Sequence, residues 1–122
     1  MSQTTTNPFV LTTPHQWSSL PIDPGKLIDG SPNPHIDHRY SDQSQQFHCG
    51  YWKSDVGTWS IHYTETEWCL LIQGRIELLS DSGFSLTVTA GQSFLIPQGF
   101  KGQWKTHEPC LKLYVIFEPT PQ

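Results

Sequence analysis

At 122 residues the chain suits one domain with a single core that needs no disulfide or metal staple. With 35% hydrophobic and 15% charged residues it reads as soluble and globular, and its net charge of -4 argues against nucleic acid, which rewards clustered positive charge. No apolar stretch approaches the ~20 residues of a membrane span, so no membrane partner is expected. The opening Met-Ser-Gln-Thr-Thr-Thr-Asn-Pro lacks the basic start and apolar run of a secretory signal. Three scattered cysteines, Cys49, Cys69 and Cys110, fit reduced thiols better than a disulfide framework, and the expected location is cytoplasmic.

Residues 1–44 hold six of the ten prolines and show no sustained periodicity. Trp17, Leu20, Ile22, Leu27 and Ile28 are too apolar for a solvated tail, so the expectation is an irregular, Pro-rich N-terminal arm packed across a sheet. Residues 45–122 form the barrel domain. Phe47 to Trp52 alternates weakly. In Thr58 to Tyr63 a period of two puts Trp59, Ile61 and Tyr63 on one face. Trp68 to Ile72 is apolar on both faces, as a strand covered on both sides would be. Arg75 to Leu79 follows, then the turn Asp81-Ser-Gly83 and the alternating Phe84, Leu86 and Val88. Ser93 to Ile96 leads into the Pro97-Gln-Gly99 bend, and Gln103 to His107 and Leu111 to Glu118 are split by Glu108-Pro109. Seven or eight short strands without a helical window argue for an antiparallel sandwich or barrel, and periodicity alone leaves immunoglobulin-like and jelly-roll topologies open.

Two spacings add to this. Glu67 and Gly74 enclose six residues, and Gly91 is followed by five residues, then Pro97-Gln-Gly99. These resemble the second half of the first cupin motif, G-x5-H-x-H-x3–4-E-x6-G, and the first half of the second, G-x5-P-x-G-x2-H. With Trp52, Gly57-x-Trp59, Tyr63, Phe100-Lys101-Gly102-x-Trp104, His107-Glu108 and Lys112-x-Tyr-Val-Ile-Phe-Glu118, the stretch from about Gly50 to Glu118 is similar to small single-domain cupins. The relatives it resembles are those of (S)-ureidoglycine aminohydrolase and of ethanolamine utilisation. The resemblance implies an all-β cupin jelly-roll (RmlC-like) antiparallel barrel, a homodimer, and a pocket in the barrel mouth, with Gly74 and Gly91 at hairpin turns.

Metal-binding cupins hold Mn, Fe, Ni or Zn with three His and a Glu. Carried over, Glu67 is the glutamate, but the paired histidines fall at Ile61 and Tyr63, or at Ser60 and His62, and the second-motif histidine falls at Gly102. One carboxylate and one outward imidazole do not make the three or four converging donors a first-row ion takes. No metal is therefore expected, and any metal would have to use Glu67, His62 and Gln103.

Glu67 is the candidate acid–base residue, or else a carboxylate satisfied within the core. Trp59, Tyr63 and Trp104 are candidate ligand-binding residues, weighed against simple barrel filling. Lys101 could pair with an anionic substrate or with Glu67, or lie in solvent. Lys112 and Tyr114 share a face that either reaches the cavity or forms ordinary strand surface. His35-Ile-Asp-His38 is expected to be solvated, His48 and His107 to be structural, and Cys69 to be a small buried hydrophobe. The first functional reading is a cupin that binds a small polar or anionic molecule, any catalysis being metal-independent acid–base chemistry. The alternatives are a Mn-dependent (S)-ureidoglycine aminohydrolase-like enzyme and a non-catalytic ligand-sensing or accessory domain.

Overall fold

The computed structural model describes residues 6–119, and among them it contains nine strands and no helix. The strands are β1 (Ser18–Ser19), β2 (Leu27–Gly30), β3 (His35–Ser41), β4 (Phe47–Ser54), β5 (Gly57–His62), β6 (Thr66–Ser80), β7 (Ser85–Thr89), β8 (Ser93–Ile96) and β9 (Lys101–Phe117). All pairings are antiparallel, and one sheet curls over on itself. The long strands β6 and β9 belong to both layers. In one layer the first half of β6 lies between β8 and the second half of β9, which passes pairing on to β4, β3 and β1. In the other, the second half of β6 lies between β7 and the first half of β9, followed by β5 and β2. This is the jelly roll.

Both shared strands bend where the sequence reading placed breaks. Gly74 is not at a hairpin turn; β6 runs through it as a bulge. Its φ is 91°, the register with β9 slips between Leu71 and Ile76, and a Cβ there would fall against the Pro109 carbonyl. Only glycine takes that backbone without strain. The extra residue also changes which side faces inward. Glu67, Cys69 and Leu71 are buried before the bulge and Ile76 and Leu78 after it, a switch from odd to even positions. In β9 the exposed Glu108-Pro109 pair does not end the strand but marks its bend. Pro109 has no register partner there, so its missing N–H costs no ladder bond.

The segment expected as an irregular arm also contributes strands. β3 pairs along its length with β4, and the boundary near residue 44 falls in the turn joining them. Asp37 hid this strand, because a carboxylate only 2% exposed sits where alternation looks for an apolar side chain. It is satisfied by Arg39 Nε at 3.0 Å and by the backbone N–H groups of His15 at 2.9 Å and Gln16 at 3.2 Å. Arg39 donates onward to the Thr13 carbonyl at 2.9 Å. These bonds lay residues 12–16 over the outside of β3 and β4, where Lys53 Nζ sits 4.4 Å from the Trp17 ring centroid.

The core holds Leu71, Ile76, Ile96 and Trp104 fully buried between the layers. On the outer side of β6, Trp68 and Ile72 are 37% and 39% exposed, so within one chain that strand is covered on its inner side only. No helix among the described residues is long and apolar enough to cross a membrane.

Candidate functional site

One end of the barrel opens into a cavity of about 250 Å³ between the inner faces of β3, β4, β5, β6 and β9. Of the residues expected at the site, the structure brings together Trp59, Tyr63, Glu67 and Trp104 on its wall. Alternation along β5 puts Trp59 and Ile61 inward and leaves His62 exposed. Tyr63 follows in the loop and is clamped by the Pro-x-Gly bend. Its N–H donates to the Phe100 carbonyl at 2.9 Å, and its own carbonyl accepts from Gly99 N–H at 2.7 Å.

Lys101, expected at the pocket, is not there. It is the exposed first residue of β9, paired in register with His62. Gln103 is half-buried on the outward side of β9, opposite Ser60. Glu67, His62 and Gln103 therefore do not converge.

The cation that meets Glu67 is Lys112. Its Nζ donates to Glu67 Oε2 at 2.9 Å, and both side chains are 5% exposed. The ammonium also lies 4.8 Å and 4.6 Å from the ring centroids of Trp52 and Trp104, within range of their negative faces. Trp104 is oriented for this contact because its indole N–H donates to Thr106 Oγ1 at 2.9 Å, and Thr106 is fixed in turn by Ser54 at 2.6 Å. Burial opposes the charge on Lys112, but the Glu67 carboxylate beside it, within hydrogen-bonding distance, holds the ammonium well above its ordinary range. Burial likewise holds the Tyr63 phenol well above its usual range, Lys112 pulling it down and Glu67 pushing it up. The Cys69 thiol, pushed up to about 12 chiefly by burial, stays protonated and is no nucleophile.

Glu65, also on the cavity wall, escaped the sequence reading. Burial raises its carboxyl from the usual carboxylate range, with the charges of Glu67 and Glu118 adding to the effect. The signal was present in the period of two that runs through Tyr63, Glu65 and Glu67. Lys112 and Tyr114 are settled in favour of the cavity by the same alternation, which joins them to buried Trp104, Thr106 and Cys110 along β9.

A first-row metal ion needs three or four donors within about 2.0–2.3 Å. The inner positions corresponding to the motif's ligands carry Ile61, Tyr63 and Gly102 instead. Gly102 faces inward, but a Cβ there would fall against the Leu79 carbonyl of the neighbouring strand, which leaves no path for an imidazole. Glu67, the one motif ligand in place, is already neutralised by the Lys112 ammonium. No three His, Cys, Asp or Glu side chains among the described residues are placed to hold an ion. The residues present do not fit a divalent cation.

The EutQ-like cupin domain profile matches residues 41–114, more than half of the chain. The chain belongs to that family. Among solved structures, this cupin is similar to a Pseudomonas syringae pv. tomato protein of unknown function from the DUF861 family, with 27% identity and a TM-score of 0.71. That match covers 88% of the chain but only 44% of the other, so this cupin spans under half the length of that relative. It is also similar in fold to Clostridium difficile EutQ, at 16% identity and TM-score 0.65, covering 81% of this chain and 74% of that one. The Salmonella typhimurium putative ethanolamine utilisation protein matches at 15% identity and TM-score 0.65, covering 86% and 96%. No curated protein matches the sequence.

Proposed function

We propose that this cupin binds a small polar or anionic molecule in its aromatic cavity, and that Glu67 and Lys112 act on it as an acid–base pair. The observation that carries the reading is the buried ion pair facing a cavity walled by Trp52, Trp59 and Trp104. A space of about 250 Å³ falls just below the usual range for drug-sized ligands, which suits a small metabolite. Such a site can draw a proton from a bound acid onto the Glu67 carboxylate while the Lys112 ammonium stabilises the anion left behind. Isomerisation and elimination are the matching reaction types. The donor set gives a Mn-dependent, (S)-ureidoglycine aminohydrolase-like reaction no support.

The experiment is a melting-temperature and Trp-fluorescence survey with small hydroxy, keto and aromatic acids, repeated on Lys112→Met. A ligand should raise the melting temperature of the wild type and lose that effect in the variant. Binding that survives in Lys112→Met would overturn the assignment, and binding without any product would leave a ligand-sensing domain. The expected homodimer and cytoplasmic location belong to the same proposal. Exposed Trp68 and Leu95, register partners on the outer side of β6 and β8, offer a second copy an apolar face, and the three cysteines are free and buried.

A further inference from the structure

Tyr114 lies two residues beyond Lys112 on the inner side of β9 and lines the same cavity. Its hydroxyl crosses Gly50, its register partner on β4; a Cβ at Gly50 would lie 2.7 Å from the Tyr114 oxygen. The missing side chain lets the hydroxyl reach β3, where it meets His38 Nδ1 at 2.6 Å. The other ring nitrogen, His38 Nε2, lies 2.7 Å from Ser41 Oγ, and that oxygen lies 2.7 Å from His48 Nδ1. His48 Nε2 then faces the Gln45 carbonyl at 3.0 Å and Glu118 Oε1 at 3.4 Å.

Counting donors gives the chain a direction. A carbonyl oxygen only accepts, so His48 carries its hydrogen on Nε2 and its Nδ1 accepts. Ser41 therefore donates to His48 and must accept from His38 Nε2. With its hydrogen on Nε2, His38 accepts at Nδ1 from the Tyr114 hydroxyl. All four donors point the same way, from the cavity wall to the surface carboxylate of Glu118.

We propose that Tyr114, His38, Ser41 and His48 form a proton exit from the cavity. A proton arriving on the Tyr114 oxygen releases that residue's own hydrogen to His38 Nδ1. His38 gives its Nε2 hydrogen to Ser41, and the original Ser41 hydroxyl hydrogen moves to His48 Nδ1. Each O–H or N–H bond broken is matched by one formed. Tyr114 ends neutral, and the imidazolium charge rests on His48 beside Glu118. The ionisable groups around His38 are Asp37 on its own strand, His48 on β4 and Tyr114 on β9. His38 is itself exposed on β3, and the partial desolvation of its ring, reinforced by His48, holds the imidazole below its usual range, so it passes a proton on rather than keeping it.

This goes beyond the ligand reading, and its test uses ligand-free protein, so either can fail without the other. Long-range proton–nitrogen NMR should find the Nε2–H tautomer at both His38 and His48. Exchange of the Tyr114 hydroxyl hydrogen with water, read by saturation transfer, should slow roughly tenfold in Ser41→Ala, as expected when one hydrogen bond of ~1.4 kcal/mol leaves the transfer step. Ser41→Thr, which keeps the hydroxyl, should restore the rate, and His107→Gln, at the distant Glu77 contact, should leave it unchanged. An Nδ1–H tautomer at either histidine, or unaltered Tyr114 exchange in Ser41→Ala, would overturn the relay.

Discussion

Lys112→Met tests the physical basis of the site most directly. At 2.9 Å the gross attraction between Glu67 and Lys112 is ~6 kcal/mol for an effective dielectric of 20. Desolvation costs several kcal/mol per ion, so the pair as a whole adds little net stability. Removing one partner is different, because it strands a charge in a site where each side chain is 5% exposed. Lys112→Met should therefore cost ~3–5 kcal/mol at neutral pH. For 122 residues that is a melting-temperature drop of ~12–20 °C, at ~4 °C per kcal/mol. The double variant Glu67→Gln/Lys112→Met restores neutrality and should lie within ~1.5 kcal/mol of wild type, well short of the sum of the single changes. Urea titration of all four proteins closes the cycle. Single variants that each lose under ~1 kcal/mol, or losses that simply add, would show the pair to be solvated and the argument wrong.

Gly102→Ala should cost ~1–3 kcal/mol, since its Cβ meets the Leu79 carbonyl, and Gly74→Ala a comparable amount through its φ of 91°; urea midpoints read both. The Asp37 carboxyl is held at about 2 against an ordinary 3.8; burial opposes this, but the bonds from Arg39 and from the His15 and Gln16 backbone prevail. Its folded value lies below the unfolded one, so its contribution is complete above about pH 4 and is lost as pH falls toward 2. Asp37→Asn should flatten stability across that window and speed proteolysis near residues 12–16. Lys101→Ala and His62→Ala, both exposed, should change stability by under ~0.5 kcal/mol and leave ligand binding intact. For the proposed homodimer, Trp68→Glu on the apolar outer face of β6 should shift sedimentation toward the monomer.

What the sequence could show depended on whether a feature is local. Alternation in Thr58 to Tyr63 and in Phe84 to Val88 is a property of neighbours, and it located β5 and β7 and the inward face of the cavity. Gly74 and Glu108-Pro109 were read as breaks because a bulge and a turn use the same residues. Only the partner strand across the ladder tells them apart. β3 stayed hidden because its buried residue, Asp37, is stable there only through Arg39 and a backbone segment some twenty residues earlier. Lys112 was visible on the right face, yet an ammonium is tolerated inside only once Glu67, 45 positions away, is known to touch it. Tyr114 and His38 are farther apart still, at 76 positions, and nothing in either neighbourhood announces the contact.

The origin of the site's positive charge has its own consequence. A bound ion can be removed, and its stabilisation depends on concentration, reaching ~2.7 kcal/mol at a hundred times its dissociation constant. For this chain that would be a shift of ~10 °C. An ammonium tethered to β9 can neither be chelated away nor titrated in. Chelator treatment and added Mn should therefore each leave the melting temperature and ligand binding unchanged, as measured by scanning fluorimetry. The inward position of Gly102, closed off by the Leu79 carbonyl, makes the same outcome expected for Gly102→His, which should lose stability without gaining affinity for Mn. A Mn-dependent rise in melting temperature that disappears in Glu67→Gln would show that an ion displaces Lys112 from the carboxylate, and the tethered-charge account would fail.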